Sequence, residues 1–149
     1  MSRRLDDLSS PLRPKVFELF ARLVEKGVHV LIVDTLRTEA EHQANLAKGV
    51  SWTPRSKHLP RKLRGWPASD PDAEKSDAID LCPYEQYDEH GPDKLGWQPT
   101  HPGWNVIRDE AEKLGLRSGA RFRPPAKPDL GHVELPDGVL NALRSTRTA

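Results

Sequence analysis

Three short stretches of the chain combine metal-ligating side chains with a place beside a predicted strand or loop. They are Ser56-Lys57-His58, Ser76-Asp77-Ala78-Ile79-Asp80 and Asp129-Leu130-Gly131-His132-Val133-Glu134. Two imidazoles and one carboxylate suit an open zinc site, in which three protein ligands leave the fourth tetrahedral position to water. Strand alternation adds a geometric condition. His132 and Glu134 share one face and Val133 and Leu135 the other, while Ala78 and Asp80 point opposite to Ile79. An apolar face below and a polar face above is what a site on a sheet requires. Each segment alone also has a plain structural reading: a surface histidine in a loop, a turn aspartate at a strand end, a half-exposed Gly-His-Val-Glu strand.

The elements that must position these residues follow from periodicity and turn signals. Val16, Leu19, Phe20, Leu23 and Val24 recur at helical spacing after Pro14, and Gly27 stands where that helix ends. Residues 28–33 are rich in β-branched side chains and read as a buried strand. Thr38, with Glu41 three residues on, forms a capping box for a helix that reaches about Lys48 and stops at Gly49. Residues 50–77, punctuated by Pro54, Pro60, Pro67 and Pro71, read as a long loop, functional or mobile in a domain of this size. Residues 78–82 read as a short strand and 83–101 as irregular. Trp104, Ile107, Ala111 and Leu114 mark a helix closed by Gly115, residues 131–135 a last strand, and Asp137 a terminal helix cap. This order predicts an α+β fold, a small antiparallel sheet with flanking helices, rather than a doubly wound sheet.

Composition narrows the classes. A chain of 149 residues fits one compact domain. Hydrophobic residues at 36%, charged residues at 30% and 14 prolines predict a modest core with long surface loops. The 23 basic and 22 acidic side chains nearly cancel, which argues against a nucleic-acid binder. A single cysteine, Cys82, excludes an intramolecular disulfide and a Cys-rich zinc finger. No apolar run approaches the ~20 residues of a membrane span. Met1-Ser2-Arg3-Arg4 leads into polar residues, so the chain is expected to be made in the cytoplasm without an export signal.

Serine-x-histidine, a later small-x-alanine-x-aspartate and a terminal acid-x-x-histidine-x-glutamate together resemble the zinc D-Ala-D-Ala carboxypeptidase and L-alanyl-D-glutamate endopeptidase family of cell-wall peptidases, of which phage endolysins form a branch. Leu36-Arg37-Thr38 with Glu41 and Gln43, then Asn45-Leu46-Ala47-Lys48-Gly49, is similar to the family's arginine-led helix, and 111–116 matches as well. The likeness spans about residues 12–136 and implies the hedgehog/DD-peptidase-like fold. It implies His58, Asp80 and His132 as Zn2+ ligands, Asp129 as the catalytic acid/base, Arg37 as a binder of substrate or of developing negative charge, and Ser56 as a substrate-side serine. Two departures stand out. His58 and Asp80 are separated by 21 residues where the compact motif has about six, and Ser76 stands where a glycine is usual. His42 is a rival first ligand without a serine two residues before it, and His90 and His101 are further alternatives. Glu134 rivals Asp129 as base, or orients a ligand imidazole.

What the resemblance implies is a zinc peptidase acting on peptidoglycan stem peptides, with an L-alanyl-D-glutamate endopeptidase ahead of a D-Ala-D-Ala carboxypeptidase. The expected setting is a monomeric endolysin reaching the wall after holin-type release. A zinc-bearing binding module like that of hedgehog proteins, and a metal-free structural domain, are the competing classes. The insertion 59–77, with Arg61, Lys62, Arg64 and Lys75 against Asp70, Asp72, Glu74 and Asp77, reads as a solvated loop or as a flap bringing Trp66 and a basic end to the substrate.

Overall fold

The computed structural model describes residues 1–51, 53, 56–85 and 95–147. Helix α1, Arg13–Glu25, opens with Pro14 in its first turn. It ends at Gly27, whose φ of 74° only glycine adopts cheaply. Strand β1, His29–Asp34, follows, and α2, Glu39–Ala47, carries the reciprocal Thr38–Glu41 capping box. Strand β2 is Ala78–Tyr84, α3 Gly103–Lys113, β3 Arg117–Ser118, β4 His132–Glu134 and α4 Asp137–Arg147. The sheet is antiparallel in the order β1-β2-β4-β3. The fold is α+β.

The alternation expected of β2 and β4 holds. Ile79, Leu81 and Val133 join Val16, Leu19 and Leu23 of α1 and Ile107 and Ala111 of α3 in one buried core. Asp80 and His132 are direct cross-strand partners, as are Ala78 and Glu134. The β1–β2 register shifts between Ile32 and Asp34, so that Asp34 pairs with Asp80. Such a bulge re-aims side chains at a strand end. Strand β3 was not legible in the sequence, because two residues give no period. Among the described residues, no helix is long and apolar enough to cross a membrane.

The insertion is neither a solvated loop nor a flap. Leu59, Trp66 and Ala73 are buried, and Trp66 belongs to the main core. The Arg61 guanidinium, fully buried, donates from Nε and Nη2 to the two oxygens of Asp77 at 2.9 Å each, and lies 4.0 Å from the centre of the Trp66 ring. Arg64 Nη2 adds a 2.6 Å bond to Asp77. Desolvation opposes ionisation of Asp77, but the two guanidiniums outweigh it and hold the carboxyl below the usual carboxylate range. Ser9 N–H donates to Ser76 O and Ser76 N–H to Asp7 O, tying the far end to the N-terminal segment. Of the mixed charge that suggested solvation, Arg61, Arg64, Asp70 and Asp77 pair in the interior, while Lys62 and Glu74 pair at the surface.

Candidate metal centre

Strands β2 and β4 and the turn at residues 56–58 bring three donor atoms together. Asp80 Oδ1 lies 3.0 Å from His132 Nδ1 and 3.1 Å from His58 Nε2, and the two nitrogens are 3.3 Å apart. A tetrahedral ion with N and O ligands at about 2.0–2.1 Å spaces them about 3.3–3.4 Å apart. The cluster is within a few tenths of an ångström of that spacing, so a metal fits with little movement. Among the described residues these three are the group able to hold a metal.

Each imidazole is oriented from its far side. His58 Nδ1 faces the Thr35 carbonyl at 2.9 Å, which assigns its proton to Nδ1 and leaves the Nε2 lone pair facing the cluster. His132 Nε2 faces Glu134 Oε1 at 2.8 Å, leaving Nδ1 facing the cluster. Glu134 is itself held by the Lys57 ammonium, which also donates to Leu135 O at 2.8 Å. Lys57 sits beside His58 in sequence yet braces the His132 ring across the cluster. Carboxylate–imidazole–metal relays of this kind fix ring orientation and tautomer. Burial alone would lower the pKa of His132, but hydrogen bonds and charge from Asp80 and Glu134 prevail and push it up to about 10. Burial would raise Asp80, yet the two imidazoles hold it well below the carboxylate range.

Arg37 donates from Nε to Asp34 Oδ2 at 2.7 Å, and its Nη2 lies 3.5 Å from Asp80 Oδ2. It therefore steadies the non-clustered oxygen of Asp80 while bordering the cleft. Ser56 accepts the His58 N–H at its hydroxyl (3.2 Å), forming the turn that presents the ring. The cleft, about 230 Å3, is lined by the three clustered residues with Asp129, Phe122 and Arg117 among others. Asp129 borders the opening, where desolvation first and the Asp80 charge second raise its pKa above the usual value. Glu134 also lines the cleft, but its Oε1 is engaged by His132 Nε2.

Other histidines lie elsewhere. His42 is buried on α2 with Nε2 2.7 Å from the Thr53 carbonyl, and His101 accepts the Gly103 N–H while its other nitrogen faces Glu85. His90 lies outside the described residues. The sequence reading missed Thr35, Lys57 and Gly119. A Cβ on Gly119 would fall 2.4 Å from Asp129 O and 2.8 Å from His132 Cβ, so its lack of a side chain lets β3 close on the Asp129–His132 turn. An Arg-Ser-Gly step carries no signal of that in one dimension.

Searches of protein-family models and of curated proteins find no match to the chain. Among solved structures, the fold is similar to the crystal structure of Serratia marcescens L-Ala D-Glu endopeptidase ChiX, with a TM-score of 0.59 and 15% identity over 91% of this chain and 86% of that one. At that identity the likeness is one of fold.

Proposed function

We propose that the chain is a zinc-dependent peptidoglycan peptidase that cuts the amide between L-alanine and D-glutamate of the stem peptide, with His58, Asp80 and His132 as the metal ligands. The observation that carries this reading is the convergence of His58 Nε2, Asp80 Oδ1 and His132 Nδ1 within 3.3 Å, each ring held from behind, at the floor of an open cleft. The fold's likeness to an L-Ala D-Glu endopeptidase points the same way. Zinc bound there supplies a Lewis acid and a water that ionises near neutral pH. Asp129 takes the proton of the attacking water and returns it to the leaving amine, a task its raised pKa suits. Arg37 offers its guanidinium to a substrate carboxylate or to the developing negative charge. Ser56 sets the turn of His58 at the cleft edge.

An endopeptidase over a carboxypeptidase is favoured by a second hollow that meets the metal cleft at Asp80 and Asp129, so that chain can extend both ways. A binding module is disfavoured by the Asp129 carboxyl at the opening. We assign the reaction to one domain spanning 1–149 with its core at 12–136, acting on the wall as an endolysin. The test is zinc analysis of the purified protein alongside cleavage of an L-Ala-D-Glu-γ-diamino acid peptide, before and after chelation and zinc return. One zinc per chain and chelator-sensitive release of L-alanine are expected. Release of D-alanine from a D-Ala-D-Ala peptide instead would turn the reading to a carboxypeptidase, and zinc without hydrolysis to a binding module. The lytic role is tested separately, by lysis of cells that express the chain together with a holin.

A further inference from the structure

The hollow beside the metal cleft measures about 570 Å3, within the ~300–1,000 Å3 of pockets that hold small molecules. The two spaces differ in chemistry. Arg37, Lys57 and Arg117 border the first together with Asp80, Asp129 and Glu134, so that limb is charged and polar. Trp97, Trp104, Val33, Val50 and Leu130 wall the second, with Lys127 at its edge. Trp97 is 54% exposed and Val50 73%, so apolar surface stands open next to the candidate centre. Trp97 is not on a loose end. Gly96 N–H donates to Pro83 O at 2.8 Å, Leu95 bridges to Tyr84, and a Cβ on Gly96 would meet the His101 ring at 2.4 Å. The Trp97 ring lies 6.4 Å from that of Trp104, whose Nε1 donates to Gln98 O. The platform is preformed.

We infer that this hollow is a glycan subsite, in which Trp97 packs against the N-acetylmuramyl sugar at the amino end of the stem peptide. The inference rests on the endopeptidase reading above. The contrast between a charged limb and an apolar one sets the direction of binding. The α-carboxylate of D-glutamate and the ionised groups of the diamino acid lie on the carboxyl side of the scissile bond, and suit the charged, polar limb, where Arg37 and Arg117 stand at the border. On the amino side stands one L-alanine, joined to the lactyl group of the sugar, so the pyranose begins about one residue, roughly 4 Å, further on. Its C–H face packs on an indole, while its hydroxyls stay in water.

The test compares two substrates that both lack a free amine on L-alanine: the L-Ala-D-Glu-γ-diamino acid peptide capped by acetyl, and the same peptide carrying N-acetylmuramic acid. For the zinc-loaded protein KM is expected to be about tenfold lower on the muramyl peptide, the size of one good aromatic contact, with kcat similar. Trp97→Ala is expected to bring the ratio of the two KM values close to one, and Trp97→Phe to keep most of it. Calorimetry on the metal-free protein should show the same ratio in Kd, lost in Trp97→Ala. A ratio of one in the unaltered protein, or a ratio that survives Trp97→Ala, overturns the subsite while hydrolysis of the acetyl peptide upholds the endopeptidase. Trp97-dependent preference in calorimetry with neither peptide cleaved supports the subsite and sinks the endopeptidase.

Discussion

Replacing Glu134 by Gln keeps the shape, removes the carboxylate charge and turns one oxygen into an NH2, which should reverse the tautomer that the neutral His132 ring presents to a metal. At present one carboxylate oxygen accepts from His132 Nε2 at 2.8 Å and the other from the Lys57 ammonium. An ammonium donates only, so the new amide must turn its oxygen to Lys57 and its NH2 to His132. Nε2 then has to accept, so the one proton of the neutral ring sits on Nδ1, the atom 3.0 Å from Asp80 Oδ1 in the donor cluster, where a metal needs a lone pair. Loss of such an outer partner typically weakens metal binding ~10- to 100-fold, about 1.4–2.7 kcal/mol, and tautomer reversal places Glu134→Gln in the upper part of that range. Competition with a chelator of known zinc affinity at pH 7 measures it. Adding Lys57→Met to Glu134→Gln frees the amide oxygen to return to His132 and should recover most of the loss, a coupling of about 1 kcal/mol or more. Zinc affinity unchanged within about threefold in Glu134→Gln, or a loss that Lys57→Met does not relieve, refutes the relay.

Asp129→Asn should stay folded and keep zinc while hydrolysis falls ~100- to 10,000-fold; near-normal turnover would remove Asp129 as the base. His132, at about 10 without metal, holds a proton that zinc must displace, so zinc affinity should rise with pH from 7 to 10 and binding at pH 7 should release about one proton, measured by calorimetry in two buffers. By the same raised value, His132 contributes stability to the metal-free fold that is fully present below about 6.5 and lost as pH rises through about 10, and urea midpoints across that range should show it. Gly119→Ala pushes a methyl into Asp129 O and should cut hydrolysis about 100-fold with little loss of helix content; an unaltered rate would show that the turn yields freely. Asp77→Asn removes the charge shared by two buried guanidiniums, of which Arg61 keeps Asp70 at 3.3 Å, and should cost about 3 kcal/mol by urea unfolding at pH 7. Because the Asp77 pKa is lowered on folding, its contribution is present above about 3.9 and lost as pH falls through the folded value, so the gap between Asp77→Asn and the unaltered protein should close in acid.

What could be read in the sequence was what depends on neighbours along the chain. The Thr38–Glu41 box, Pro14 before α1 and Gly27 after it act within one turn, and each stands where expected. The alternation of His132, Val133 and Glu134 carried the polar face of the sheet, and with it the pairing of Glu134 with the His132 ring. What could not be read depends on residues distant in sequence. Thr35 serves the candidate ligand His58 through its carbonyl, which has no residue-specific signature. Lys57 reads as the residue between a serine and a histidine, and reaches Glu134 only because β4 lies beside it. The insertion misled for the same reason: charge counts do not reveal that Arg61 and Asp77 find each other.

That buried pair explains how so long an excursion is compatible with a candidate metal centre. His58 and Asp80 bracket 21 residues, and both must be fixed to better than an ångström for three donors to converge. Lengthening a flexible link from about six residues to 21 costs only about 1 kcal/mol in closure entropy, so thermodynamics alone tolerates it. Precision is the harder demand, since a floppy link would leave His58 tethered on one side. Here Arg61 N–H bonds to Lys75 O and Asp77 N–H to Lys57 O, so the two ends of the insertion meet each other before either reaches the site. The Arg61–Asp77 fork then locks that closure in the core, under Trp66. Arg61→Met therefore keeps volume and removes the fork, leaving Asp77 to Arg64 alone. If the lock positions the ligand, zinc affinity should fall by about tenfold together with stability, although Arg61 lies outside the cleft. Lost stability with unchanged zinc affinity would instead mean that the Ser56 turn and the Thr35 carbonyl hold His58 without help from the insertion.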